Sequence, residues 1–264
     1  MLKSLILAVL AFSCLAPAMD EYAPIAPKTL QLEPMFAYSS VTGGYDASGT
    51  HQSLPSGTSV TGQAYGALLK LGAAEGVDLE VQVLYEHVSQ EISGTSQSAN
   101  GFMRPDVALK YLSRSGFGAF AGMDLPIGSK EIVGSSPFFS FYFGAITVQK
   151  VDRLSFNGLL TFAMTLKNQG YTPGNILSIT LKPQFDLTET VGPYVGLTFR
   201  KTFEATLDGY GHDDGSDLLT LQPGANFTLS NSLTVETAVP FTVTGKNANS
   251  YWGIALVARY SFGL

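Results

Sequence analysis

Three histidines, His51, His87 and His212, are the residues best suited to metal or acid–base chemistry, and their spacing supports neither. No two stand three or four residues apart, as two ligands on one helical face would. His51 and His212 fall in stretches that read as loops and His87 near the end of a strand-like segment, so solvated histidines are the expectation. The acidic run Asp208, Asp213, Asp214 and Asp217 lacks the ordered spacing of a calcium loop and reads as a solvated tip. The chain has no G-x-S-x-G turn and no serine–histidine pair set by spacing. No catalytic residue, metal site or cofactor is expected.

What the chain does offer is a dispersed set of charges on alternate positions. Glu33, Lys70, Glu80, Arg104, Asp106, Lys110, Lys182, Arg200, Glu236 and Arg259 all fall on the face opposite an apolar one, as do Asp78, Glu86 and Asp124. Both signs are present. Such a set suits a polar lining that filters a solute, with Arg104, Asp106 and Lys110 spaced by two and four on one strand. It equally suits opposing charges that pair across an interior and close it.

The elements that position these charges are strands. Period-two alternation runs through nearly the whole chain, and no window carries a sustained helical stripe. In the last segment Trp252, Ile254, Leu256, Ala258, Tyr260 and Phe262 share one face, while Tyr251, Gly253, Ala255, Val257, Arg259 and Ser261 share the other. An apolar face with aromatics near both ends is what a strand needs when lipid lies on one side and a polar lumen on the other. Twelve such segments are expected, at about 29–40, 58–71, 77–92, 102–113, 117–126, 137–149, 153–166, 174–186, 190–203, 217–228, 233–243 and 250–262. The connections alternate: 41–57, 93–101, 127–136, 167–173, 204–216 and 244–249 are long, and 72–76, 114–116, 150–152, 187–189 and 229–232 are tight. The sequence therefore predicts an all-β fold, a transmembrane antiparallel up-and-down β-barrel with short periplasmic turns and longer external loops. Pro34, Pro105, Pro126, Pro183, Pro193, Pro223 and Pro240 lie in or near these segments and predict bulges, strand ends or breaks in the wall.

Composition agrees. Charged residues make up 14% of the 264 residues, too few to coat a soluble surface of this size, and aromatics reach 11%. A net charge of −6 without clustered lysine and arginine argues against a nucleic-acid partner. Lys3, the apolar run Leu5 to Leu15 and Ala16-Pro17-Ala18 read as a signal peptide, residues 1–18, with the barrel following over 19–264. Cys14, the sole cysteine, falls within that segment, so no disulfide is expected.

The stretch Arg104-Pro105-Asp106-Val107-Ala108-Leu109-Lys110-Tyr111, followed by Gly118 to Gly128 with its Leu125-Pro126-Ile127-Gly128 ending, resembles the outer-membrane family named after the phenol meta-cleavage degradation pathway. Leu221-Gln222-Pro223-Gly224 with Asn226 to Leu229 resembles that family's late strand. The resemblance implies a Gram-negative outer-membrane barrel that lets small, often hydrophobic, compounds through without a cofactor. Its expected partners are that solute, outer-membrane lipid and lipopolysaccharide, and the barrel-insertion machinery. A non-conducting barrel whose external loops bind a partner is the alternative reading. Phe262 is followed by Gly263 and Leu264, a departure from barrels that end on phenylalanine.

Overall fold

In hydrocarbon every backbone N–H and C=O must find its partner within the protein, and a closed sheet does this without leaving an edge. The computed structural model, which describes residues 23–133, 139–167, 171–207, 210–211 and 215–264, has this closed form, with twelve antiparallel wall strands. They are β1 (Thr29–Tyr45), β2 (Thr58–Ala74), β3 (Val77–Ile92), β4 in two pieces (Thr95–Phe102 and Asp106–Leu112), β5 (Phe117–Asp124) and β6 (Ser140–Val151). The second half holds β7 (Leu154–Thr165), β8 (Ile176–Phe185), β9 (Val191–Thr202), β10 (Ser216–Ser230), β11 in two pieces (Leu233–Ala238 and Phe241–Lys246) and β12 (Ala248–Gly263). Each strand pairs with the next, and β12 returns to β1 from Thr29 opposite Gly263 to Tyr45 opposite Ala248. The signal segment 1–18 lies outside the described residues.

Alternation sorts the side chains. Leu69, Leu79, Leu109, Leu160, Ile179 and Leu256 stand exposed on the outer surface, between an aromatic band near the tight turns (Tyr111, Phe117, Phe156, Tyr260) and another toward the long loops (Tyr65, Phe102, Phe139, Trp252). No helix among the described residues is long and apolar enough to cross a membrane.

The loop end differs from expectation in several places. The stretch 93–101 is not a loop: Ser93 and Gly94, both at positive φ, turn the chain directly into the first piece of β4. Its residues are polar on both faces, so alternation gave no strand signal there. The stretch 244–249 is a tight turn at Asn247, and β1 runs on to Tyr45. Strands 102–113 and 233–243 are each interrupted, at 103–105 and 239–240, and Pro105 and Pro240 occupy the interruptions. A proline has no N–H to give to a ladder. Pro34 and Pro183 stay within strands, but each falls in a gap of one ladder: the β1–β12 register skips from Leu32 to Met35, and the β8–β9 register from Leu181 to Gln184.

After β5 the chain does not cross straight to β6. Ser129 N–H and the Phe102 carbonyl bond at 2.9 Å, and the Ser129 hydroxyl accepts from Phe102 N–H at 2.9 Å, which docks a short helical turn, α1 (Lys130–Val133), against the upper piece of β4. Gly101 is needed here: at φ 155° a Cβ would lie 2.1 Å from the Ser129 side chain. Ile132, covering this spot, is buried.

Candidate functional site: the barrel interior

Period two places every second side chain inside, and in a barrel of this size those side chains decide whether space remains. The inward residues of β1 to β4 and β8, β11 and β12 meet as a chain of ion pairs toward the tight-turn end. Lys182 Nζ reaches Glu236 Oε1 at 2.7 Å, and Arg259 Nη2 reaches Glu236 Oε2 at 2.7 Å. Arg259 Nε continues to Glu33 Oε2 at 3.2 Å, and Lys70 Nζ to Glu33 Oε1 at 3.0 Å. Lys70 then approaches Glu80 Oε1 at 3.8 Å, which Lys110 Nζ meets at 2.6 Å. Lys182 also lies 4.2 Å over the Tyr194 ring. Asp78, opposite Lys110 in the ladder, accepts the Ile25 N–H at 3.3 Å, so the chain preceding β1 lies across this end of the barrel.

All seven linked side chains are at most 8% exposed. A charge taken out of water this completely is tolerated when paired and hydrogen-bonded on both sides, and Glu33, Glu80 and Glu236 each serve two cations. The arrangement is a packed seal rather than a water-filled lining.

The inner face of β5 to β7 has a different chemistry. Phe120, Gly122, Asp124, Tyr142, Gly144, Leu159 and Thr161 are inward and remain partly exposed. The rings lie on glycines of the neighbouring strand: a Cβ on Gly122 would come within 2.3 Å of the Tyr142 ring, and one on Gly144 within 2.6 Å of Phe120. The two rings, 5.9 Å apart, lie against the wall and stay partly exposed. Toward the tight turns Leu112 and Ile146 are buried, with Phe120, Val148 and Leu159 packed on them, an uncharged counterpart to the ion-pair seal. Toward the loops Arg104 Nη1 donates to Ser140 Oγ at 3.3 Å, and the Ser140 hydroxyl bonds to that of Thr165 at 3.0 Å. The Tyr142 hydroxyl hydrogen-bonds Asp106.

Of the ten charges singled out from the sequence, the structure therefore joins Glu33, Lys70, Glu80, Lys110, Lys182, Glu236 and Arg259 in one network. Arg104 and Asp106 belong to a second group with Asp124, and Arg200 lies near the loop end of β9, opposite Ser178 and Leu218. Lys110 shares a strand with Asp106 but pairs with Glu80 nearer the tight turns. Sequence reasoning missed Phe120, Tyr142, Ile146 and Leu159. Their segments are apolar on both faces, so alternation gave no reason to turn a ring inward.

The loop features resolve in part. His51 bonds Ser250 Oγ at 2.8 Å and packs on Tyr45, so it is structurally engaged rather than simply solvated. Asp217 pairs with Lys201 at 3.2 Å beside an open recess of about 340 Å³ at the rim. His212, Asp208, Asp213 and Asp214 lie outside the described residues. No group of three metal-ligating side chains occurs among the described residues.

Neither a family model nor a curated protein sequence matches the chain. Solved structures do. The crystal structure of the COG4313 outer membrane channel from Pseudomonas putida F1 superposes with a TM-score of 0.78 at 15% identity, covering 92% of this chain and 98% of that one. The fold is a transmembrane β-barrel. The translocator domain of the autotransporter NalP from Neisseria meningitidis gives 0.62 at 8% identity, over 98% of both chains. The β-domain of the Bordetella autotransporter BrkA gives 0.59 at 11%, over 89% of this chain and 100% of that one. At these identities the likeness is one of architecture, shared by barrels whose printed names describe different tasks.

Proposed function

We propose that this protein is a narrow outer-membrane channel through which a small solute, hydrophobic ones included, passes along the inner face of β5 to β7. The observation that carries this reading is the asymmetry of the interior: the charged side is shut by buried ion pairs, while Phe120, Tyr142, Gly144 and Leu159 face partly open space. The solved COG4313 outer membrane channel has the same architecture, which supports the reading, as does the resemblance to the phenol meta-cleavage barrel family. In this orientation the tight turns and both chain ends face the periplasm, the long loops face outward, and the outer apolar surface meets lipid and lipopolysaccharide. The segment before residue 19 directs export and is removed, and the insertion machinery seats the barrel. On this reading passage of the solute requires neither a catalytic residue nor a cofactor.

The completeness of the ion-pair seal and the burial of Ile146 favour the second reading, a non-conducting barrel whose loops bind a partner. One measurement separates the two. Purified protein in planar bilayers should give small discrete conductance steps, and loaded liposomes should swell in small solutes. Absence of both at high protein density would refute the channel.

A further inference from the structure

The outer surface of the wall departs from its own rule at one place. Of the lysines and arginines in the wall strands, Lys70, Lys110, Lys150, Lys182, Arg200 and Arg259 take inward positions, and Lys201 and Lys246 take outward ones. An outward cation is costly in hydrocarbon and tolerated near the interface, so two on one face mark a level where the lipid has polar groups.

The two are not scattered. Asp217 on β10 is the direct cross-strand partner of Lys201 on β9 and of Lys246 on β11, so the three side chains share the outward face in one row. Lys201 Nζ meets Asp217 Oδ1 at 3.2 Å and stands 5.8 Å from the centre of the Phe203 ring. Lys246 is exposed and has no ion-pair partner among the described residues, so the row carries net positive charge. The turn behind it is braced: Asn247 N–H donates to the Asp46 carbonyl at 3.1 Å, and Asn247 Nδ2 to the Gly215 carbonyl at 3.0 Å. Both lysines, Asp217, Phe203 and Asn247 line the rim recess of about 340 Å³. Glu204 also lines it but turns to the loop tip, its Cγ 3.3 Å and its Oε2 3.4 Å from where a Cβ would stand on Gly215 and Gly211 respectively. Below the row the same face becomes apolar. Phe199 and Leu219 come next, then, about 13 Å along the strands, Leu197 and Leu221, in line with Phe241 and Trp252.

We propose, keeping from the channel reading its orientation with the long loops outward, that Lys201 and Lys246 hold a phosphate group of lipopolysaccharide in the outer leaflet, with its acyl chains on Phe199, Leu219 and Leu197 below. A lysine ammonium is a compact charge suited to phosphate, and basic side chains at the edge of the hydrocarbon recognise anionic lipid headgroups. Asp217 is a positioning residue: it stands between two lysines whose backbones are about 10 Å apart across two strand spacings, and it holds Lys201 in the row. The site works whether or not the lumen conducts.

The test is binding of lipopolysaccharide to the purified barrel in detergent micelles, read by native mass spectrometry, with the same glycolipid stripped of its phosphates and inorganic phosphate as companion probes. The wild-type barrel should retain the phosphorylated glycolipid. The double variant Lys201→Gln/Lys246→Gln should bind it severalfold more weakly, the stripped form should bind wild type as weakly, and Lys150→Gln, at the tight-turn end, should bind as wild type does. Gel mobility with and without boiling shows whether each variant is folded, and Lys246→Gln alone serves should the double variant fail. Folded variants at Lys201 and Lys246 with wild-type affinity, equal weakening by Lys150→Gln, stripped glycolipid that binds as tightly, or inorganic phosphate that displaces the lipid at equal concentration would each overturn the site. Orientation is read separately, by labelling a Tyr210→Cys barrel on intact cells with a membrane-impermeant maleimide, wild type being the blank. Labelled cells without glycolipid binding overturn the site and leave the channel reading standing. Unlabelled cells overturn the orientation on which both rest.

Discussion

Glu236 shows how a single side chain can tie distant parts of the chain together. Its two oxygens accept from Lys182, 54 residues before it, and Arg259, 23 residues after it, each at 2.7 Å. Both cations are nearly inaccessible to water, so removing the carboxylate charge leaves two buried cations short of a partner. Loss of one member of a buried pair typically costs about 3–5 kcal/mol. Glu236→Gln should therefore lower the stability of the barrel in lipid vesicles by about that amount, read from urea unfolding followed by tryptophan fluorescence. Replacing Glu75, whose pair with Arg114 is largely exposed, should change stability by under about 1 kcal/mol, and equal effects at the two sites would argue against the seal.

At the scale of elements, local chemistry explains turns and interruptions well. Gly76 and Gly116 sit at positive φ in tight turns where a Cβ would come within 2.3 and 2.1 Å of a backbone carbonyl. The turn after β8 carries a titratable latch. The Lys150 hydrogen bond to Asp186, with help from Gln184, holds the Asp186 carboxyl below its ordinary value. A depressed carboxyl stabilises the fold at pH above its unfolded value, and the contribution fades as pH falls through the folded value. Asp186→Asn should thus cost under about 1 kcal/mol at neutral pH, the pair being partly solvated, and the difference from wild type should vanish in acid, once the pH has fallen through the depressed value of the folded carboxyl. Unfolding midpoints measured across that range decide it, and a deficit that persists in acid would mean the residue acts through packing instead.

For the whole molecule, the outer surface is as informative as the interior. Leu256 stands mid-strand on β12, 40% exposed, among other aliphatic side chains. In water this surface would drive aggregation; in hydrocarbon it is the solvent-matched face. Leu256→Arg should destabilise the inserted barrel by about 2–4 kcal/mol, measured by urea unfolding from vesicles, with little effect in detergent micelles that let the side chain reach water. A neutral result in vesicles would mean that this face does not meet lipid.

Strand number and the side of the wall each charge takes are written locally, whereas the alternation of connections is so only in part, since 93–101 is largely strand and 244–249 a tight turn. A charge cannot face hydrocarbon, so parity along each strand settles its side, and twelve alternating segments were legible one at a time. The polar strand Thr95–Phe102 was not, because above the membrane neither face needs apolar residues. Partnership lay beyond parity altogether. That Lys110 turns to Glu80 while Arg104 and Asp106 join Asp124 depends on strand register and on the break at Pro105. Closure of β12 on β1 brings Arg259 to Glu33, 226 residues away in sequence. The sequence determined by itself on which side of the wall each charge stands, since that follows from side-chain period and solvent, but not which rings of the doubly apolar strands β5 to β7 turn inward. Only the tertiary structure decided which inward groups neutralise one another and which side of the interior stays partly open, because both are properties of distances between strands.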